Sequence, residues 1–152
     1  MFNLFRKKNN FFTDEEHHAF VKAIRHAEKK TSGEIRLYIE SKCKKDDPLT
    51  RSAKIFHRLK MYKTEQRNGV LIYVATIDKK LALFGDEGIY QKAGETYWNN
   101  AVAEILTSFG QSKFAEGVIN CIVQVGETLH KNFPYDRDVD KNELPDEIVL
   151  GR

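Results

Sequence analysis

The segment Asn68–Gly88, NGVLIYVATIDKKLALFGDEG, limits what this chain can fold into more than any other. It opens on Asn-Gly and runs from Gly69 to Thr76 without a charge, with Val70, Leu71, Ile72 and Val74 apolar at both parities. That pattern predicts a central strand covered on both faces. A polar break at Asp78-Lys79-Lys80 follows. A second apolar run, Leu81 to Phe84, ends in Gly85-Asp86-Glu87-Gly88. The reading is an antiparallel hairpin with a tight turn, and any chemistry of the chain is expected in the turns at its two ends.

The neighbouring segments supply the layers. Phe11–Lys30 predicts a helix, opened by the capping box of Thr13 and Glu16 and apolar along Phe20, Ile24 and Ala27. His17, His18 and His26 in it read as surface residues; the adjacent pair diverges by roughly a hundred degrees and cannot chelate one ion. Glu34–Glu40 alternates, predicting a strand with Ile35, Leu37 and Ile39 on its one buried face. Asp47 and Pro48 start a second helix, with Leu49, Ala53, Phe56 and Leu59 inward and Arg51, Lys54 and Arg58 as a solvated basic stripe. Met61–Arg67 reads as a polar connector. Strand, helix, strand implies a right-handed crossover, so Glu34–Glu40 and Gly69–Thr76 are expected to be parallel.

Beyond an irregular Ile89–Gly94, two more helices are predicted. Glu95–Phe109 turns Trp98, Ala101, Val102, Ile105 and Phe109 inward. Lys113–Lys131 turns Phe114, Val118, Ile122, Val125 and Leu129 inward, with Gly117 and Gly126 marking close packing. Ile148-Val149-Leu150 is a possible edge strand. The expected architecture is an α/β, three-layer α/β/α sandwich with a three- or four-stranded mixed sheet and about four main helices. Residues 12–133 form the domain, between a mobile N-terminal tail (1–11) and a polar acidic C-terminal tail (134–152).

Composition narrows the function classes. The chain has 152 residues, enough to bury roughly 70% of its unfolded surface without crosslinks. Its 41% apolar and 31% charged residues suit a soluble globular domain, and a net charge of +3 is too small for a dedicated nucleic-acid binder. Cys43 and Cys121 read as free thiols in a reducing compartment. Met1–Phe5 is too short for a signal sequence, and no apolar run approaches the roughly eighteen residues of a membrane span. A cytoplasmic monomer is expected. Membrane contact is at most peripheral, through Phe2, Leu4 and Phe5 beside Arg6, Lys7 and Lys8.

No nucleotide-binding, zinc-protease or serine-hydrolase motif occurs. Asp136, Asp138, Asp140 and Glu147 have EF-hand spacing, but Lys141 stands where the loop needs glycine, so a solvated acidic tail is expected. The strand ends carry more. Glu40, Ser41, Thr76 and Asp78 should meet at one end of the sheet, where open α/β sheets often bind ligands. Ser41, Asp78, Lys79 and Lys80 are candidates for weak phosphoryl chemistry there, with His57 approaching as an acid. At the other end Asp86 and Glu87, assisted by Glu34 and Asn68, offer oxygen ligands suited to Mg²⁺ or Ca²⁺ bound weakly.

Several blocks taken together resemble one family: Thr31-Ser32-Gly33-Glu34-Ile35, Asn68-Gly69-Val70-Leu71-Ile72, Asp78-Lys79-Lys80-Leu81, Gly85-Asp86-Glu87-Gly88-Ile89 and Phe114-Ala115-Glu116-Gly117. Over about residues 12–132 the chain looks like a TPM domain, and the tail from Asn132 to Gly151 looks like that of a short bacterial subgroup. The resemblance implies a sheet between helices, divalent-metal binding and maintenance of protein complexes through an unidentified protein partner, or, in one plant branch, acid phosphatase activity. The expected function is a binding or accessory domain. The alternative is a weak metal-dependent acid phosphatase. Two family features are altered here: lysines follow Asp78 where arginine is usual, and the usual Gly-x-Gly-Leu-Glu loop reads Gly-Asp-Glu-Gly-Ile.

Overall fold

The computed structural model describes residues 11–43, 45–135 and 148–151. The elements are α1 (Asp14–Glu28), β1 (Glu34–Glu40), α2 (Pro48–Arg58), β2 (Gly69–Ala75), β3 (Lys80–Gly85), α3 (Glu87–Ala93), α4 (Glu95–Gly110), α5 (Phe114–Asn132) and β4 (Ile148–Leu150). The sheet order is β3-β2-β1-β4. β2 and β1 are parallel, Glu34 opposite Gly69 and Glu40 opposite Ala75, while β3 returns antiparallel along β2. β4 closes the far side as a parallel edge strand, Leu37 opposite Ile148.

Strand alternation divides the core in two. Ile35, Leu37, Ile39, Val70, Ile72, Val74, Leu81 and Leu83 join the buried residues of α1, α4 and α5. Tyr38, Leu71, Tyr73, Ala75 and Ala82 join Ile55 and Phe56 of α2, together with Met61. The result is the three-layer α/β/α sandwich that the sequence predicts, with α3 as a short fifth helix. The packing of α1 on α5 depends on Gly126. A Cβ there would come within 2.6 Å of the Ala27 Cβ, a distance that real side chains do not reach.

The structure corrects several expectations. β1 is buried at all seven positions, not on one face, and Glu34, Arg36, Tyr38 and Glu40 are buried along with its apolar residues. Polar residues on that second face are satisfied inside the fold, so alternation does not signal solvent. In α2 the inward residues are Ser52, Ile55 and Phe56, whereas Leu49 is exposed, a rotation of about one residue from the predicted face. Met61, assigned to a polar connector, is fully buried. Residues 87–93 are helical, not irregular, because Asp86 caps them: its side chain accepts the Glu87 N–H. His17 is not on the surface but 1% exposed, edge-on to the rings of Phe12 and Phe20, and this desolvation lowers its pKa. The capping box at Thr13 and the Asp47 cap of α2 are as predicted. Cys43 and Cys121 are both free thiols. The N-terminal aromatic-basic tail and the EF-hand-like spacing at 136–147 lie outside the described residues.

Candidate functional site

The parallel crossover brings the ends of β1 and β2 side by side. Thr76 N–H donates to the Glu40 carbonyl at 2.9 Å, and Ile77 N–H to that of Ser41 at 2.8 Å. Asp78 Oδ2 accepts the Cys43 N–H at 2.8 Å, tying the β2–β3 turn to the loop after β1. Glu40, Ser41, Thr76 and Asp78 therefore meet as expected. Lys79 and Lys80 lie beside them, exposed, and Lys80 starts β3 opposite Ala75.

Beneath this turn lies a buried cluster that the sequence reading did not assemble. Glu40 is 1% exposed. It accepts Arg51 Nε and Nη2, each at 3.0 Å, and the Tyr73 hydroxyl. Burial, and then this hydrogen bond, push the Tyr73 phenol well above its ordinary range, while hydrogen bonding to Glu40 holds Arg51 protonated. Arg51 thus leaves the predicted solvated stripe to neutralise a buried carboxylate. The available signal is a polar Tyr73 inside an otherwise apolar central strand, two positions short of the residue opposite Glu40. Arg58, from the same stripe, donates to the Tyr38 hydroxyl at 3.0 Å. His57 does not approach Asp78. Its ring lies against Phe84 and Tyr62, and Phe84 is four residues along β3 from Lys80, roughly 13 Å away.

The opposite end of the sheet gathers Glu34, Asn68, Asp86 and Glu87. Glu34 and Asn68 are buried, as is Asp86, whereas Glu87 is exposed. Arg67, absent from the sequence expectation, dominates this end. Its Nε and Nη2 donate to Asp86 Oδ2 and Oδ1 at 2.7 and 2.9 Å, and Nη1 lies 3.3 Å from Glu87 Oε2. Asp86 Oδ1 also caps α3 through the Glu87 N–H at 2.7 Å. Arg67 adopts a left-handed backbone (φ 53°), and Gly88 packs against the carbonyls of Gln66 and Arg67 so closely that any Cβ would overlap them. Asn68 Nδ2 donates to Ser32 Oγ at 3.2 Å, while its Oδ1 is buried with no hydrogen-bond partner among the described residues.

These residues fit a divalent ion only in part. Asn68 Oδ1 is an available hard oxygen, but the Asp86 carboxylate is already committed to a guanidinium and to a helix cap. Among the described residues no three His, Cys, Asp or Glu side chains form a group that could hold a metal. No helix among them is long and apolar enough to cross a membrane.

Residues 6–128 match the model of the TPM domain. No curated protein matches. The NMR structure of the BA42 protein from the psychrophilic bacterium Bizionia argentinensis is 42% identical, superposes with a TM-score of 0.82, and pairs 96% of this chain with 99% of that one. The N-terminal domain of a protein from P. gingivalis is 11% identical with a TM-score of 0.62, covering 82% of this chain and 80% of that one, and shares the fold alone.

Proposed function

The chain belongs to the TPM domain family, and from that premise we propose that it is a binding or accessory module and not an efficient hydrolase. One observation carries the reading: both candidate acids at this end of the sheet, Asp78 and Glu40, hold the fold together. Asp78 fastens one loop to another, Glu40 is saturated by Arg51 and Tyr73, and His57 faces the far end of β3. Phosphoryl transfer needs an activated nucleophile or water and a cationic clamp. Lys79 and Lys80 supply charge, but among the described residues Asp78 and Glu40 are engaged in the contacts above and His57 lies elsewhere.

The reading does not include a ready cation site. Mg²⁺ or Ca²⁺ reaches Asp86 only in competition with Arg67. Hydrolysis of p-nitrophenyl phosphate by the protein and by Asp78→Asn tests the proposal. The expected result is background turnover in both. Robust turnover that falls at least about a hundredfold in the variant, the usual worth of a positioned acid or base, would establish the phosphatase instead.

A further inference from the structure

α1 and its C-cap residue Lys29 place His18, Lys22, Arg25 and Lys29 at spacings of four, three and four residues, with His26 beside them. These positions form one stripe of a helix, and all five side chains are exposed. The residues beside the stripe are small, Ala19 and Ala23, so a trough opens there. α5 runs in the same direction along this side: Phe114 packs on Phe12 at one end and Gly126 on Ala27 at the other, and Ile119 lies between. Ala19, Ala23 and Ile119 line a groove of about 790 Å³, with Val21 on the far side of the basic stripe and His18, Lys22, Arg25, His26 and Lys29 around it. Among the described residues no acid lines it. The acids of the first turn, Asp14, Glu15 and Glu16, lie at the helix start, and Glu28 turns away to accept the Ile35 N–H.

We propose that this groove on α1 is the docking surface of the module, and that its partner is an acidic protein segment carrying an apolar side chain. The inference rests on reading the domain as a binding module and names the chemistry of its partner. Charge fixes the partner's sign: a basic rim with no acid in the lining attracts anions and repels cations. Shape and floor fix its class. A concave trough does not lie flat on a bilayer. Among the described residues it also presents no Phe, Tyr or Trp ring, the broad stacking platform usual in single-strand binding. An apolar floor between cations suits a short peptide that buries one aliphatic side chain and leaves carboxylates at the rim. The stretch from His18 to Lys29 spans roughly 16 Å, which about five extended residues cover.

The probe is a fluorescein-labelled peptide of about eight residues built from Glu-Leu-Glu repeats. Anisotropy measures affinity, and amide shifts locate the contact. Saturable binding is expected, with shifts at residues 18–29 and at Ile119. It should weaken as salt rises, and Lys22→Glu with Lys29→Glu should lower affinity at least about tenfold. Both lysines are exposed, and dispersed amide spectra check that the variant folds. Lys22→Gln with Lys29→Gln, expected to give a smaller loss, replaces it if it does not fold. Absence of saturable binding, equal affinity in the variants, or shifts confined to other surfaces overturns the groove. So does tighter binding there of a single-stranded oligonucleotide or of phosphatidylglycerol vesicles. Each of those results leaves the binding-module reading standing, whereas Asp78-dependent turnover overturns that reading whatever the groove binds.

Discussion

Arg67 illustrates how one side chain can redefine a site. Asp86 and Glu87, read alone, are two acids in a glycine-flanked turn. With Arg67 in place, Asp86 is a buried anion that already has its cation, delivered by the connector that precedes β2 and locked by two parallel hydrogen bonds. No sequence pattern announces the pair: the residues are nineteen apart, and nothing periodic links them. The arrangement makes metal binding a contest. Titration of the protein with Ca²⁺ or Mg²⁺ is expected to leave the amides of residues 33–35, 68–69 and 85–88 without a saturable shift. Arg67→Gln, which removes the guanidinium while keeping an amide donor, is expected to produce one. Equal affinity in the two proteins would show that Arg67 does not compete with the ion.

Among the elements, α1 joins the binding proposal to stability, because its inward face carries His17 against Phe12 and Phe20. The ordinary histidine pKa is 6.5 and burial lowers it in the folded chain. Above pH 6.5 both states are neutral and the group favours neither. As pH falls below 6.5 the unfolded chain takes up a proton that the folded one resists, so stability declines until the folded pKa is passed and then levels off. The urea midpoint should therefore fall between about pH 7.5 and about pH 5.5, and the fall should be shallower in His17→Phe. An equal slope in both would remove His17 as its source.

The sequence disclosed the elements unevenly. The hairpin, the parallel crossover, and helices α1, α4 and α5 were legible because one apolar face imposes a period of two or of about 3.6. β1 misled because Arg36, Tyr38 and Glu40 are polar yet buried, and pairing such as that of Glu40 with Arg51 is invisible to hydropathy. α3 was missed because its cap, Asp86, read as a ligand. Ser41, Asp78 and Lys80 were correctly placed at one end of the sheet, since strand direction alone decides that. What lies beneath them depends on Arg51 of α2, which pairs with Glu40 from a face about one residue round from the predicted one, and Asp78 itself is held by the Cys43 N–H of the loop after β1.

At the scale of the molecule the sheet joins strands far apart in the sequence. β1 pairs with β2 on one side and with β4 on the other, and β4 lies more than a hundred residues away in sequence. Ile148 is buried opposite Leu37, and Gly151 N–H donates to the Ile39 carbonyl at 2.7 Å. Ile148→Asp sets an unpaired charge against the core and is expected to release β4. Faster hydrogen exchange at Leu37–Ile39 and concentration-dependent growth in mass by light scattering are the expected readouts. Exchange at the parental rate would show that β4 stays docked. The same three-residue strand also sets the timing of assembly. A polypeptide emerging from the ribosome can complete the hairpin, the crossover and the helical layers while the outer border of β1 still has open backbone donors and acceptors. Until β4 arrives, that border is a template onto which a neighbouring nascent chain can add a strand of its own, and the pairing of β4 with β1 removes it.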